Sequence, residues 1–122
     1  MNSSINIASV LEDLQQYFSP KIIAEVNDVY VKVAKIKGEA IPWHTHKEED
    51  ELFYILEGSL LMEIEDQPPF QMNKGDLFVV KRGVEHRVSS TEECQILLIE
   101  NKSTAHTGEI ISDITRSIDQ QL

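Results

Sequence analysis

Short β-rich runs separated by turn-forming residues fill most of this chain, and their spacing limits the possible folds more than any other feature. Gly58, Gly75 and Gly83 stand between runs, where a tight turn needs a residue without a Cβ. Seven or eight strands at such spacing predict an all-β sandwich or barrel. The predicted strands are residues 21–26, 28–36, 51–57, 59–65, 70–72, 77–80, 85–89 and 94–100.

The two ends of the chain differ from this β-rich middle. Apolar residues at helical spacing predict one amphipathic helix of about three turns that ends before Pro20. They are Ile7, Val10, Leu11, Leu14 and Phe18. Ser9, followed by Glu12, is a candidate capping box at the start of the helix. We therefore expect a helical segment over residues 1–20, a β-barrel over residues 21–101 and a polar tail over residues 102–122. The tail's sparse isoleucines leave open a short helix, an arm across a partner subunit or a loose tail.

Charge and cysteine content exclude several classes of function. The 122 residues suit one domain, and 21 acidic against 11 basic side chains give a formal charge of -10. Such a surface repels nucleic-acid phosphates and anionic lipid, so neither is an expected partner. Cys94 is the only cysteine, the N-terminus lacks the features of a secretion signal, and the apolar runs are too short to span a bilayer. The sequence predicts a soluble cytoplasmic protein in which Cys94 is a buried thiol.

Three histidines and a glutamate form the chemically most informative pattern. His44 and His46 are two residues apart, so on a strand both imidazoles project to one face. Glu51 follows at an odd separation, and it reaches that face only if a turn intervenes within the polar residues 47–50. His86, on a separate predicted strand, is a fourth candidate ligand. The same parity puts Phe53 and Ile55 on the face of Glu51, and Val84 and Val88 on that of His86, which predicts a hydrophobic cup around the four side chains.

Three neutral nitrogens and one anionic oxygen suit one borderline divalent ion such as Mn, Fe, Ni, Cu, Co or Zn, and they leave coordination positions open. The remaining candidates are given structural roles. Trp43 has the opposite parity to His44 and is expected to pack, and His106 stands in the polar tail without a partner pattern. Structural roles are also expected for Tyr30, Tyr54 and Lys32, and core or pocket-lining positions for Met62 and Met72.

The spacing of these residues resembles the two motifs of the cupin superfamily. Residues 38–58 read G-x5-H-x-H-x4-E-x6-G, and residues 75–86 read G-x5-K-x-G-x2-H. The second motif departs from the family pattern at Lys81, where proline is usual, and at Ser90, where asparagine is usual. The resemblance implies a double-stranded β-helix, a small jelly-roll barrel. It also implies a single-domain cupin that forms a homodimer by pairing sheets, with metal ligands at His44, His46, Glu51 and His86.

Two classes of function follow from this resemblance. The first is a metal-dependent enzyme acting on a small organic molecule, since the family includes dioxygenases, decarboxylases, sugar isomerases and epimerases. Few acid or base groups other than the ligands have inward parity, which favours chemistry carried by the metal and, among reaction types, oxygen-dependent cleavage. Glu51 is a candidate proton shuttle. The alternative is a non-catalytic module that binds or senses a small molecule.

Overall fold

The computed structural model describes residues 3–104 and 118–122, the side chains of residues 118 and 119 excepted. Helix α1 spans Ile7–Asp13, and a short helix α2 spans Ile118–Gln121. The strands between them are β1 (Lys21–Val26), β2 (Val29–Gly38), β3 (Glu51–Glu57), β4 (Ser59–Ile64), β5 (Phe70–Asn73), β6 (Leu77–Val80) and β7 (His86–Asn101). Neither helix is long and apolar enough to cross a membrane.

The strands form two antiparallel sheets that share β7. The larger sheet has the order β1-β2-β7-β3-β6, and β4 pairs with β5 and with the first residues of β7. The sheets enclose one apolar core, to which Phe53, Met62 and Met72 belong. This arrangement is a double-stranded β-helix, so the predicted fold class is confirmed.

The two strands predicted at residues 85–89 and 94–100 are one continuous strand of 16 residues. The intervening residues 91–93 are polar and exposed, as residues of a loop usually are, yet their backbone remains extended. They stand opposite residue 37 alone, because Ile36 pairs with Cys94 and Gly38 pairs with Ser90. Ser90 is buried, and its hydroxyl donates a hydrogen bond to the carbonyl oxygen of Ile36 at 3.0 Å. The strand therefore bends at a bulge and continues from one sheet into the other.

Alternation along β3 agrees with the predicted parity. Glu51, Phe53 and Ile55 are buried, while Leu52 and Tyr54 on the opposite face are half-buried. On β2, the inward positions are Lys32, Ala34 and Ile36. Both faces of the larger sheet are thus apolar, but only the inner face is fully covered.

The N-terminal helix is shorter than predicted. It has seven residues, and its N-cap is Asn6, whose side chain accepts a hydrogen bond from the backbone N–H of Ser9 at 2.9 Å. The predicted capping box of Ser9 and Glu12 was wrong. The predicted length of three turns was also wrong, because the helically spaced apolar residues belong partly to the helix and partly to the segment that follows it. Leu11 is the buried residue of α1, which packs on β2, whereas Phe18 follows the helix and belongs to the barrel core.

The C-terminal residues 118–121 form α2, which contacts β1. Gln121 is 1% exposed, so this end of the chain is anchored in the protein. His106, Ile110, Ile111 and Ile114, for which the sequence left the structure of the tail open, lie outside the described residues.

Candidate metal centre

Backbone hydrogen bonds bring the two histidine-containing segments together. His44 and His86 exchange a pair of bonds, with the N–H of His44 donating to the oxygen of His86 at 3.0 Å and the reverse bond at 2.9 Å. The N–H of Gly83 donates to the carbonyl oxygen of His46 at 2.8 Å. The strand expected at residues 44–46 is only this isolated bridge to His86, since the chain bends on either side of it. This short segment, residues 44–46, is nevertheless enough to bury both imidazoles.

Glu51 reaches the histidines from the start of β3. Residues 47 and 48 form the bend that the odd spacing required, so the carboxylate lies on the same side as the imidazoles. Its Oε1 atom is 3.4 Å from Nε2 of His86 and 3.7 Å from Nε2 of His46. His44 is the fourth member of the cluster. All four side chains are buried, and each offers a ligand atom within 4.8 Å of the others.

The hydrogen bonds of the rings leave nitrogen atoms directed into the cluster. Nδ1 of His44 lies 2.8 Å from the oxygen of Pro42, and Nδ1 of His86 lies 3.1 Å from the oxygen of Val84. A ring that donates from Nδ1 to a carbonyl carries its lone pair on Nε2, which is the usual arrangement of a metal-binding histidine.

Two buried ring nitrogens have no hydrogen-bond partner within the described part of the chain. Nε2 of His46 and Nε2 of His86 have no hydrogen bond, although burying such an atom unpaired costs free energy. A divalent cation would satisfy both atoms together with the carboxylate of Glu51. The donor set therefore fits a borderline transition-metal ion.

The protonation states favour the same interpretation. Burial lowers the pKa values of His46 and His86, so the neutral imidazoles that bind metals persist to lower pH than they would in water. Burial also raises the pKa of Glu51. The cluster is thus a buried carboxyl group among neutral rings, and it gains a compensating charge when a cation binds.

Two buried charged residues next to the cluster were not recognised as part of it from the sequence. Glu100 of β7 is paired directly with Glu51 of β3, and its pKa is raised, chiefly by burial and then by the charge of Glu51. Lys32, which was expected to be structural, lies 2.7 Å from Oε1 of Glu100. The missed signal was parity, because Lys32 and Glu100 stand at inward positions whose neighbours on the same face, such as Ala34 and Leu98, are apolar.

An apolar cavity adjoins the cluster. His44 and Glu51 are the polar residues of its wall. The remaining residues are Phe18, Pro20, Ala34, Ile36, Ile41, Phe53, Val88, Ile96 and Leu98. Of the residues predicted for the hydrophobic cup, Phe53 and Val88 line this cavity, whereas Ile55 and Val84 do not. Sequence reasoning also did not anticipate that Phe18 and Pro20 of the N-terminal segment would contribute to it.

The turn before His86 is held by a residue from the first motif. Asp50 accepts a hydrogen bond from the backbone N–H of Arg82 at 2.8 Å, which lowers the pKa of Asp50. Lys81, at the position where the motif usually has proline, is exposed at this turn. Trp43 lies at the surface with the guanidinium of Arg87 5.2 Å from its ring centre, in agreement with a packing role.

The fold and the cluster define a small barrel that contains a buried cluster of three histidines and one glutamate. The family model for the cupin domain matches residues 33–100, and the chain belongs to this family. It is 31% identical over 102 residues to the uncharacterized protein YdbB of Bacillus subtilis (strain 168), an alignment that covers 84% of this chain and 89% of YdbB.

Solved structures give the same assignment. A cupin-2 domain containing protein from Shewanella frigidimarina NCIMB 400 is 38% identical, with a TM-score of 0.77 over 80% of this chain and 94% of that one. Hydroquinone 1,2-dioxygenase from Sphingomonas sp. TTNP3 is 19% identical, with a TM-score of 0.75 over 83% of this chain and 33% of the dioxygenase. This second likeness shows a shared fold.

Proposed function

We propose that this protein binds one divalent transition-metal ion through His44, His46, Glu51 and His86 and uses it to transform a small, mostly apolar organic molecule. The observation that supports this proposal is the pair of buried Nε2 atoms without hydrogen bonds, on His46 and His86, beside an apolar cavity. Such an ion supplies Lewis acidity, a template for substrate or, for Fe, Mn or Cu, redox chemistry.

The residues of the chain have distinct roles in this proposal. The three imidazoles and the Glu51 carboxylate hold the ion, and the apolar wall excludes water and binds the body of the substrate. Glu51 is the proposed proton carrier, because a flexible carboxylate can leave the ion transiently and accept a proton from a bound substrate. His44 and Glu51 are the titratable residues of the wall, so the reaction depends mainly on the ion.

The cavity wall favours oxygen-dependent cleavage of an enolic or phenolic compound over sugar isomerisation. A sugar would leave several hydroxyl groups without hydrogen-bond partners against Ile, Leu, Val and Phe side chains, and each such loss is costly. A phosphorylated sugar would also need a cation, and the described residues of the wall include no Lys or Arg. Hydroquinone 1,2-dioxygenase has the same fold, so oxygen-dependent cleavage is a suitable reaction for the first assay.

Elemental analysis of natively purified protein tests the metal site. We expect about one transition metal per chain, lost in a His44→Ala, His46→Ala double variant because two of four ligands are removed. His106→Ala is the matched control, since it also removes a histidine but stands outside both motifs. A wild-type protein that stays below about 0.1 metal per chain after incubation with each candidate ion would contradict the proposal.

A ligand screen separates the enzyme from the alternative of a binding or sensing module. Thermal shifts would be measured with phenols, keto acids and sugars, and every ligand that binds would then be assayed for turnover with Fe, Mn, Ni, Co, Cu and Zn in air. We expect phenols or enols to bind and to be consumed together with oxygen. Binding without any product in all six metal forms would assign the chain to the module class.

We further propose that the protein is a homodimer that pairs the outer faces of its larger sheets. Strand register aligns two apolar rows across four strands of this face. One row is Val31, Ile99, Leu52 and Val79, and the other is Leu97, Tyr54 and Leu77, which continues on β2 at Val33, a residue already buried within the single chain. Leu77 is 57% exposed and Ile99 is 36% exposed in the single chain, and adjacent exposed apolar side chains are a usual feature of interfaces.

Light scattering coupled to gel filtration tests the dimer. Leu77→Asp and Ile99→Asp should give monomers, because each places a charge in the proposed interface. Val26→Asp is the matched control on the edge strand β1, where the valine is 59% exposed. A monomeric wild type, or variants that remain dimeric, would rule out this interface. The cytoplasm remains the proposed location, and cell fractionation would test it.

A further inference from the structure

Three buried polar side chains beside the metal centre have no role in the proposed function. Lys32 is 1% exposed, Glu100 is 4% exposed and Gln121 is 1% exposed. A buried charge is costly unless it is paired, so a buried lysine requires a specific partner.

These side chains connect the metal cluster to the C-terminal helix. Glu100 and Glu51 are directly opposite each other on β7 and β3, and both side chains are buried. The Nζ atom of Lys32 lies 2.7 Å from Oε1 of Glu100 and also donates a hydrogen bond to the side-chain oxygen of Gln121 in α2. The path therefore runs from Glu51 through Glu100 and Lys32 to Gln121.

The physical need for such a path arises from Glu51. A carboxylate that binds a metal must present one oxygen in a fixed direction, and partners outside the ligand set provide that orientation. His44 and His86 are oriented by the carbonyl groups of Pro42 and Val84. An ionised Glu51 only accepts hydrogen bonds and so cannot be oriented by a carbonyl oxygen, and Glu100 is the residue directly opposite it on the neighbouring strand.

Charge balance explains the presence of Lys32. Two carboxyl groups directly opposite each other on adjacent strands repel when both are ionised. Lys32 stands one strand further on, with its ammonium group against Glu100, and so offsets the added negative charge. Gln121 then occupies another donor position of the ammonium group, which fixes the direction of the Lys32 side chain.

We propose that Glu100 and Lys32 are positioning residues of the metal centre, and that Gln121 couples metal binding to docking of the C-terminal helix. This inference rests on the proposed metal site. Occupancy of the site stabilises the orientation of Glu51, which stabilises the contacts of Glu100, Lys32 and Gln121 in turn. By reciprocity, loss of the Gln121 contact weakens metal binding.

Metal affinity is the first test, measured by competition of Co²⁺ or Zn²⁺ with a chromophoric chelator. Glu100→Gln preserves shape and removes the charge, and it should weaken binding by roughly 10–100-fold, the usual effect of removing an outer partner. Gln121→Ala should weaken binding by roughly 3–10-fold, since it acts through two intermediates. Lys32→Met leaves Glu100 unpaired, and where this variant does not fold, Glu100→Gln and Gln121→Ala are sufficient for the test.

Glu57→Gln and Lys74→Met are the matched controls. They break an ion pair of 2.8 Å between exposed side chains, and Glu57 lies on the same strand as Glu51. Neither change should alter metal affinity. The visible spectrum of the Co²⁺ form is a second measurement, because Glu100→Gln should change the ligand geometry, whereas a purely structural role would lower stability and leave the spectrum unchanged.

Carboxypeptidase digestion of a chain that ends at Leu122 tests the coupling to α2. Leu122 is exposed and should be released readily, while release of the buried Gln121 should be slowed by metal in the wild type. In Glu100→Gln the metal should no longer slow this step. A wild type that binds no metal would refute the proposed function itself. A wild type that binds metal, with variants whose affinity lies within about twofold of it, would refute the positioning role alone.

Discussion

Replacement of Gly58 by alanine tests the packing of the barrel at a defined point. Gly58 connects β3 to β4 and has a φ of +85°, in the left-handed region that costs an L-residue about 1–2 kcal/mol. A Cβ at this position would lie 2.7 Å from the carbonyl oxygen of Glu93 and 3.1 Å from Cα of Cys94. Both are backbone atoms of β7, so the strand itself would have to move, at a further cost of about 1–3 kcal/mol.

Gly75→Ala is the matched control for this substitution. Its φ is +90°, nearly the same as that of Gly58, but an added Cβ meets no atom within 4 Å. The effect of alanine on the unfolded chain is the same in both variants, so the difference between them reports the contact with β7. We expect Gly58→Ala to lose about 1–3 kcal/mol more stability than Gly75→Ala.

Urea denaturation of the chelator-treated protein, followed by circular dichroism, measures this difference. For a chain of this size it corresponds to a melting temperature lower by about 4–12 °C. Equal losses in the two variants would show that β7 yields to the new methyl group without cost. That result would refute the tight packing of β7 against the β3–β4 turn.

Three further predictions concern the site and the core. Protonation of His46 and His86 displaces a metal, and because burial lowers their pKa values below 6.5, equilibrium dialysis should show metal release below that pH rather than at it. Complete release already at pH 6.5, or full retention at about pH 4.5, would contradict this expectation. Burial raises the pKa of the Cys94 thiol to about 11, so iodoacetamide at about pH 8 should label it only after unfolding, as mass spectrometry would show. Leu60 is 0% exposed, and Leu60→Ala should lower the free energy of unfolding by about 2–5 kcal/mol in the same urea assay, whereas a loss below about 1 kcal/mol would indicate a loosely packed core.

The sequence predicted the β architecture and the common face of His44, His46 and Glu51 for local reasons, whereas His86 was added to the site through the resemblance to the cupin motifs. Strand parity applies within a few residues, so the spacing of His44 and His46 and the turn before Glu51 could be inferred directly. The parity of Phe53 and Ile55 followed in the same way. These inferences need no knowledge of which strands are neighbours.

The supporting network could not be predicted because it depends on strand pairing across the chain. Glu100 is opposite Glu51 only because β7 lies beside β3, and Lys32 reaches Glu100 only because β2 lies on the other side of β7. Phe18 was assigned to the helix because its spacing fits one, and only tertiary packing sends it into the cavity wall. A charged residue at an inward position is the one local signal that pointed to Lys32 and Glu100.

The shared strand β7 has a consequence for how the site is made. His86 at its start and Glu100 near its end both contact Glu51, although the 14 residue steps between them (100 − 86) would span roughly 46 Å in a straight strand. The strand must therefore wrap most of the way around the barrel before the two ends meet. Assembly of the centre thus requires nearly the whole topology to be complete, and metal affinity should serve as a reporter of finished folding rather than of local structure.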